Sequence, residues 1–191
     1  MNSKILYSIL AFLVLVGCQS NEINNGPELT NTITDTDQTL VTFVHQKTNE
    51  KMGSKVEDFK VVKISYIEEL AFGQIIFENN GDLFEGAFHA ENSNGNWDVV
   101  NIEITQTDVK SPFTKLQVVG GLPGKESNFH IVSGIIHDNR IKSIQITYPN
   151  NESSIFIVDN NYKYYFDVKI GVNSFSTIVA YDSNYNEISS Y

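Results

Sequence analysis

From residue 56 to the end, this chain is a series of short apolar segments in which side chains alternate with a period of two. Turn residues separate the segments, as at 79–82 (Asn-Asn-Gly-Asp) and 93–95 (Ser-Asn-Gly). A period of two indicates β-strands, and Asn, Asp and Gly tolerate the left-handed backbone of tight turns. Short strands spaced about 8–12 residues apart are typical of antiparallel folds. We therefore predict a mainly β fold, an antiparallel β-sandwich or barrel-like domain.

A short helix is predicted before the strands, because Leu40, Val41 and Val44 recur at helical spacing. A strand is the alternative, since residues 42–44 (Thr-Phe-Val) would also suit one. Asp35 or Asp37 would cap its N-terminus. Trp97 follows a turn and leads an alternating strand, so its ring is expected to be buried on the face of Val99. The predicted strands are 56–67, 72–78, 83–89, 97–105, 128–137, 141–148, 154–158, 162–168, 175–181 and 186–189.

The first 18 residues have the pattern of an export signal. Lys4 gives a basic start, residues 5–16 are uncharged and largely apolar, and Cys18 is the only cysteine of the chain. About a dozen apolar residues fit the core of a signal peptide, whereas a membrane-spanning helix needs roughly 20. The stretch Leu15-Val16-Gly17-Cys18 resembles the lipobox of bacterial lipoproteins.

The lipobox resemblance implies that Cys18 receives a diacylglycerol on its sulfur and becomes the first residue of the mature chain. Two acyl chains such as palmitate anchor a protein stably, since each buried methylene contributes about 0.8 kcal/mol. We expect a lipoprotein signal peptide at 1–17, the lipidated cysteine and a flexible tether at 18–37, and a single β-rich domain at 38–191. A sub-boundary near 120–124 is the alternative. The expected location is the cell membrane, lipid-anchored at its extracytoplasmic face.

Two parts of the domain are similar to small secreted or lipid-anchored β-rich proteins of low-GC Gram-positive bacteria. The first comprises 71–77 (AFGQIIF), 83–88 (LFEGAF) and 95–97 (GNW), and the second comprises 133–144 (SGIIHDNRIKSI), 164–166 (YYF) and 180–188 (AYDSNYNEI). The similarity spans roughly residues 56–190 and lies in turns and strands. It implies the fold and the location, and it implies no activity.

The acidic charge of the chain argues against two classes of partner. The formal net charge is −10, whereas a nucleic-acid-binding domain needs a basic surface. Adhesion to an anionic membrane face also needs basic residues. We therefore expect no nucleic-acid partner and membrane attachment only through the lipid on Cys18. We also expect a monomer.

The four histidines do not have the spacing of a metal motif. They are His45, His89, His130 and His137, and Cys18 is reserved for the lipid. His130 and His137 flank one predicted strand, and their odd separation places them on opposite faces. We expect structural histidines, no metal and no cofactor; a metal site would have to be assembled across strands.

No catalytic motif is recognisable in the domain. The carboxylate pairs Glu57-Asp58 and Glu68-Glu69, like Asp35 and Asp37, are expected at the surface, because adjacent strand residues point to opposite faces and a glycosidase needs facing carboxyls. The stretch 120–124 (Gly-Gly-Leu-Pro-Gly) is expected to form a turn, with a binding loop as the alternative. Turns at 159–161 and 182–184 could bind calcium weakly. We expect no catalytic residues.

Tyrosine and phenylalanine concentrate in the last quarter of the chain. They are Tyr162, Tyr164, Tyr165, Phe166, Tyr181, Tyr185 and Tyr191. Alternation places Tyr164 and Phe166 on one face and Tyr165 on the other. Cross-strand packing is the expected role, and a platform for glycan or peptide is the alternative. We expect a non-enzymatic binding module whose partner is an envelope protein or glycan; the alternative is an envelope hydrolase with its active site assembled across strands.

Overall fold

The domain begins with an α-helix that contributes a buried stripe to the core. The computed structural model describes residues 35–122, 124, 126–158, 163–172 and 174–191, with side chains from Gln38 onward. Helix α1 spans Asp35–Met52. Leu40, Val44 and Thr48 are fully buried, and their spacing of four keeps them on one helix face. Because this stripe continues past Val44, the helix is longer than the short helix that was predicted.

Eleven strands follow in the described part of the chain. They are β1 Glu57–Ile67, β2 Leu70–Asn79, β3 Asp82–Ser93, β4 Asn96–Gln106, β5 Leu116–Gly121, β6 Asn128–Ile135, β7 Ser143–Thr147, β8 Ser153–Ile157, β9 Tyr164–Ile170, β10 Thr177–Tyr181 and β11 Glu187–Ser190. All pairs between neighbouring strands are antiparallel. The prediction of a mainly β, antiparallel fold with an N-terminal helix is confirmed.

The strands form three sheets. Sheet I has the order β1-β2-β3-β4, sheet II the order β5-β6-β9, and sheet III the order β11-β10-β7-β8. Consecutive strands of sheet I are joined by tight turns, where Asn80, Gly81, Asn94 and Gly95 adopt positive φ. These residues lie in the two turns predicted from the sequence, at 79–82 and 93–95.

Sheet I packs on both of its faces. One face forms a core with α1, in which Leu40 and Val44 meet residues such as Ile75 and Phe88. The other face packs on sheet II, and the residues in contact include Phe72, Ala87, Phe129, Ile131 and Phe166. Because both faces of sheet I are covered, side chains on both sides of β2 are removed from water. Strand β2 is therefore buried continuously from Ala71 to Phe77.

Sheet II lies between the other two sheets. Val132 and Tyr165 point away from sheet I and share a core with Ile144, Ile146 and Ile178 of sheet III. Strand β6 is therefore buried on both faces, from Phe129 to Ile135. The described residues belong to one compact unit, Ile33–Tyr191.

Trp97 is buried as predicted. Its side chain is 8% exposed and lies with Val99 in the core beneath α1. The ring centroid is 5.9 Å from that of Tyr66. The alternation that starts at the 93–95 turn therefore sets the orientation of this strand correctly.

Three differences from the predicted element boundaries affect residues that the sequence analysis discussed. Strand β6 ends at Ile135, so His137 lies beyond it, and the opposite-face argument for the two histidines does not apply. Strand β3 continues past His89 through an irregularity in its register. Gly120 and Gly121 belong to β5 rather than to a turn. A Cβ atom at Gly120 would lie 2.5 Å from the Phe129 ring, so ring packing explains this glycine.

No helix within the described residues has the length and apolar character needed to cross a membrane.

Candidate functional site

Several residues singled out in the sequence lie outside the described part of the chain. They include Cys18, the turn at 159–161 and Tyr162. Lipidation of Cys18 therefore stays a prediction. The side chains of Asp35 and Asp37 are likewise outside the described residues.

The histidines occupy separate places. His45 stacks on an aromatic ring of β1 with centroids 4.4 Å apart, and His89 stacks on a ring of β2 at 5.0 Å. His130 Nε2 lies 3.0 Å from Oε1 of Gln117. Burial lowers the pKa of His89, His130 and His137. Among the described residues, no three His, Cys, Asp or Glu side chains are grouped so that they could hold a metal ion.

The carboxylate pairs lie at the surface as predicted. Glu57 and Asp58 at the start of β1, and Glu68 and Glu69 in the following turn, are exposed. In the 182–184 turn, the Asp182 carboxylate accepts hydrogen bonds from backbone N–H groups two and four residues ahead, at 2.7 and 2.9 Å. The Asp182 carboxylate therefore stabilises the turn to which it belongs.

The carboxyl of greatest interest, Glu85, was not singled out in the sequence. It lies on β3, is 1% exposed and faces sheet II. The Thr114 side chain lies in the same pocket as its carboxyl group, and Oε2 has no hydrogen-bond partner among the described residues. Burial raises the pKa of Glu85 to about 7, and the neighbouring Thr114 side chain opposes this rise. A single acid inside the apolar run 83–88 is the signal that could have identified it.

A pocket of about 180 Å³ lies beside Glu85, and we call it the Glu85 pocket. The residues that line it are Glu85, Thr105, Gln106, Asp108, Ser111, Thr114, Lys115 and Tyr191. The Lys115 ammonium lies 4.7 Å from the centroid of the Tyr191 ring. The Tyr191 hydroxyl is 2.7 Å from Ser111 Oγ. The pocket thus combines two carboxyl groups, one cation and an aromatic ring.

A second concave site, the Tyr164 groove, has a volume of about 240 Å³. It is lined by Val62 and Lys63 of β1, Gln74 of β2, Phe156 and Ile157 of β8, and residues 164–166 of β9. Most of these side chains are apolar or aromatic, and Lys63 is the charged residue in this set. An apolar wall with a few polar groups is typical of ligand-binding sites.

Alternation along β9 is confirmed. Tyr165 is 1% exposed and belongs to the core shared with sheet III. Phe166 is buried in the core shared with sheet I, and Tyr164 is partly exposed in the groove. Tyr191 lines the Glu85 pocket instead. Tyr165 and Phe166 therefore belong to the cores, and Tyr164 and Tyr191 belong to two different sites, whereas Tyr185 is 84% exposed.

Comparison of the chain with protein-family models, with curated proteins and with solved structures found no match. The functional argument therefore rests on the residues themselves, and chiefly on the Tyr164 groove and the Glu85 pocket.

Proposed function

We propose that this protein is a lipid-anchored binding module of the bacterial cell envelope, and that its partner binds in the Tyr164 groove. The lipobox-like stretch ending at Cys18 supports the anchor. The similarity to small secreted or lipid-anchored β-rich proteins of low-GC Gram-positive bacteria supports the extracytoplasmic location. The expected partner is an envelope protein or glycan.

The observation that carries the binding role is an apolar, aromatic groove with exposed aliphatic residues at its border. Ile157 lines the groove and is 78% exposed, and Ile155 on the same strand is 64% exposed. Grouped exposed apolar side chains mark interaction sites more often than isolated ones do. Tyr164 adds an amphipathic ring of the kind enriched at binding surfaces.

Capture from envelope extract tests this proposal. The immobilised full chain should retain a partner, and Ile157→Asp should remove most of that capture. Val109→Asp is the matched control, since Val109 is 60% exposed and is not part of the groove lining. Both positions are exposed, so each change should alter stability by only about 0.5 kcal/mol. Equal capture by the two variants would show that the partner does not bind in the groove.

A second candidate, an envelope hydrolase, is favoured by one observation. Glu85 and Asp108 line the same pocket, and a carboxyl with a pKa near neutrality is suited to general acid catalysis. A panel of chromogenic glycosides and esters tests this alternative. Turnover by the wild type that is lost in Glu85→Gln would support it, and equal background rates for both proteins would reject it.

A further inference from the structure

The middle sheet of the domain is one strand narrower than the sheets on either side. Within the described residues, sheet II has three strands, whereas sheets I and III have four each. Strands β1, β9 and β8 are the last strands of sheets I, II and III, and all three line the Tyr164 groove. The groove therefore lies beside β9, where a fourth strand of sheet II would be placed.

The backbone of β9 has hydrogen-bonding groups directed into this space. The Ile136 N–H donates to the Lys163 carbonyl at 2.8 Å, which places Lys163 in a hydrogen-bonded pair with β6. In an antiparallel ladder, hydrogen-bonded and non-hydrogen-bonded pairs alternate. The N–H and C=O groups of Tyr164 and Phe166 therefore point away from β6, to the side on which no described strand pairs with β9.

The open part of this edge coincides with the groove. The next outward N–H along β9, that of Val168, is already bonded to its neighbour, since it lies 3.0 Å from Asp167 Oδ1. The groove borders residues 164–166, which span about 10 Å at a rise of about 3.3 Å per residue. An added strand would therefore pair over a short stretch.

The neighbouring edge of sheet I is less suitable for pairing. Strand β1 has register shifts between Glu57 and Lys60 and between Val61 and Lys63. Such irregularities protect sheet edges against added strands. Strand β9, in contrast, pairs with β6 in an unbroken register. Its regular backbone is a template to which an extended segment can add.

The walls of the groove indicate the side chains that an added strand would carry. On the sheet I side lies Lys63, which forms no ion pair with another described residue, so an acidic side chain is complementary there. On the sheet III side lie Phe156 and Ile157, which are complementary to aliphatic side chains. Side chains alternate along a strand. In a segment with an acidic residue between two aliphatic residues, the acidic side chain would face Lys63 and the aliphatic side chains would face Phe156 and Ile157.

We propose that an extended segment of a partner protein, with an acidic residue between two aliphatic ones, adds to β9 as the fourth strand of sheet II. This inference rests on the proposed binding function and specifies its partner class and its mode. Backbone hydrogen bonds to Tyr164 and Phe166 would provide affinity, and the contacts with Lys63 and Ile157 would provide specificity.

Amide hydrogen exchange tests the proposal with the full chain in detergent micelles. The probe is a synthetic seven-residue peptide with a central Ile-Glu-Ile. At ten times its Kd, the peptide should slow exchange at the Tyr164 and Phe166 amides by about tenfold, because they exchange only from the free state. The control is the same peptide with N-methyl groups on the amides that face β9. It keeps its side chains but cannot form the backbone hydrogen bonds, so it should not slow exchange at the Tyr164 and Phe166 amides.

Reversing the charge of the peptide's central residue and of position 63 tests the role of Lys63. Replacing the central Glu of the peptide by Lys should weaken binding by about five- to tenfold, and Lys63→Glu should reverse the preference between the two peptides. Unchanged exchange of the β6 amides shows that the variant is folded. The same affinity for both peptides in both proteins would overturn the predicted side-chain pattern.

The outcomes separate this inference from the proposed function. If no peptide slows exchange at Tyr164 and Phe166, while envelope capture still depends on Ile157, strand addition is wrong and the groove binds another ligand such as a glycan. If capture does not depend on Ile157, the proposed function itself is wrong at this site.

Discussion

The Tyr165 hydroxyl donates a hydrogen bond of 2.6 Å to the backbone carbonyl of Thr114. Gly134 lies next to both atoms of this hydrogen bond. A Cβ atom at this position would lie 2.1 Å from the Thr114 oxygen and 2.5 Å from the Tyr165 hydroxyl. Absence of a side chain at Gly134 therefore makes room for the phenol. Thr114 also lines the Glu85 pocket, so a tyrosine of the core holds in place a residue of that pocket.

The two adjacent tyrosines of β9 should differ in their effect on stability. Tyr165→Ala should cost about 3–5 kcal/mol, because it empties a buried site. It also leaves the Thr114 carbonyl without its donor. Tyr164→Ala should cost about 1 kcal/mol or less, since that ring is partly exposed. Urea denaturation of the single variants measures both values, and equal, severe losses would contradict the assignment of Tyr164 to the groove.

Glu85 should make the stability of the domain depend on pH. Its pKa rises on folding from 4.5 to about 7, so the folded state binds more protons than the unfolded state between these values. The contribution of this group to the free energy of unfolding is therefore full below pH 4.5 and decreases as pH rises towards 7. Glu85→Gln removes this dependence, so the variant should gain stability relative to the wild type between pH 4 and pH 8. A constant difference across that range would refute the raised pKa.

Trp97→Ala should destabilise the domain by about 3–5 kcal/mol, the usual cost of truncating a buried aromatic residue. The ring lies in the core that joins α1 to sheet I. Tryptophan fluorescence of the native protein provides an independent check. Its emission maximum should be that of a shielded indole and should shift to longer wavelength on unfolding.

Cys18→Ala should abolish labelling of the protein by radioactive palmitate. The reason is that the lipobox-like stretch offers this sulfur as the site of lipid attachment. Unprocessed precursor should accumulate, and any chain cleaved by another route should be released from the membrane. Equal labelling of wild type and variant would show that the anchor is elsewhere.

Local patterns in the sequence predicted much of the fold because this domain follows them closely. The turn residues Asn80-Gly81 and Asn94-Gly95 adopt the positive φ values for which they were recognised. The alternation starting at Trp97 gave the correct buried face of β4. These features depend on neighbours only a few residues apart, so they are readable from the chain alone.

Contacts between residues far apart in the chain could not be predicted from local sequence patterns. Gly120 is in a strand because the ring of Phe129 occupies the space of a side chain, and local chemistry alone indicated a turn. Pairing of β6 with β9 joins segments separated by two strands of another sheet. The burial of Glu85 and the formation of the Tyr164 groove both depend on how the sheets stack, which no local pattern specifies.

Strand β6 supplies side chains to the core on each of its faces, so loss of one core removes packing that supports the other. Unfolding in denaturant should consequently be a single cooperative transition rather than two separate ones. The amides of β6 should exchange only when the whole domain opens. The same strand presents apolar side chains on two sides while the chain is unfolded, and exposed apolar surface promotes aggregation, so its enclosure between sheets I and III should protect the folding protein from aggregation.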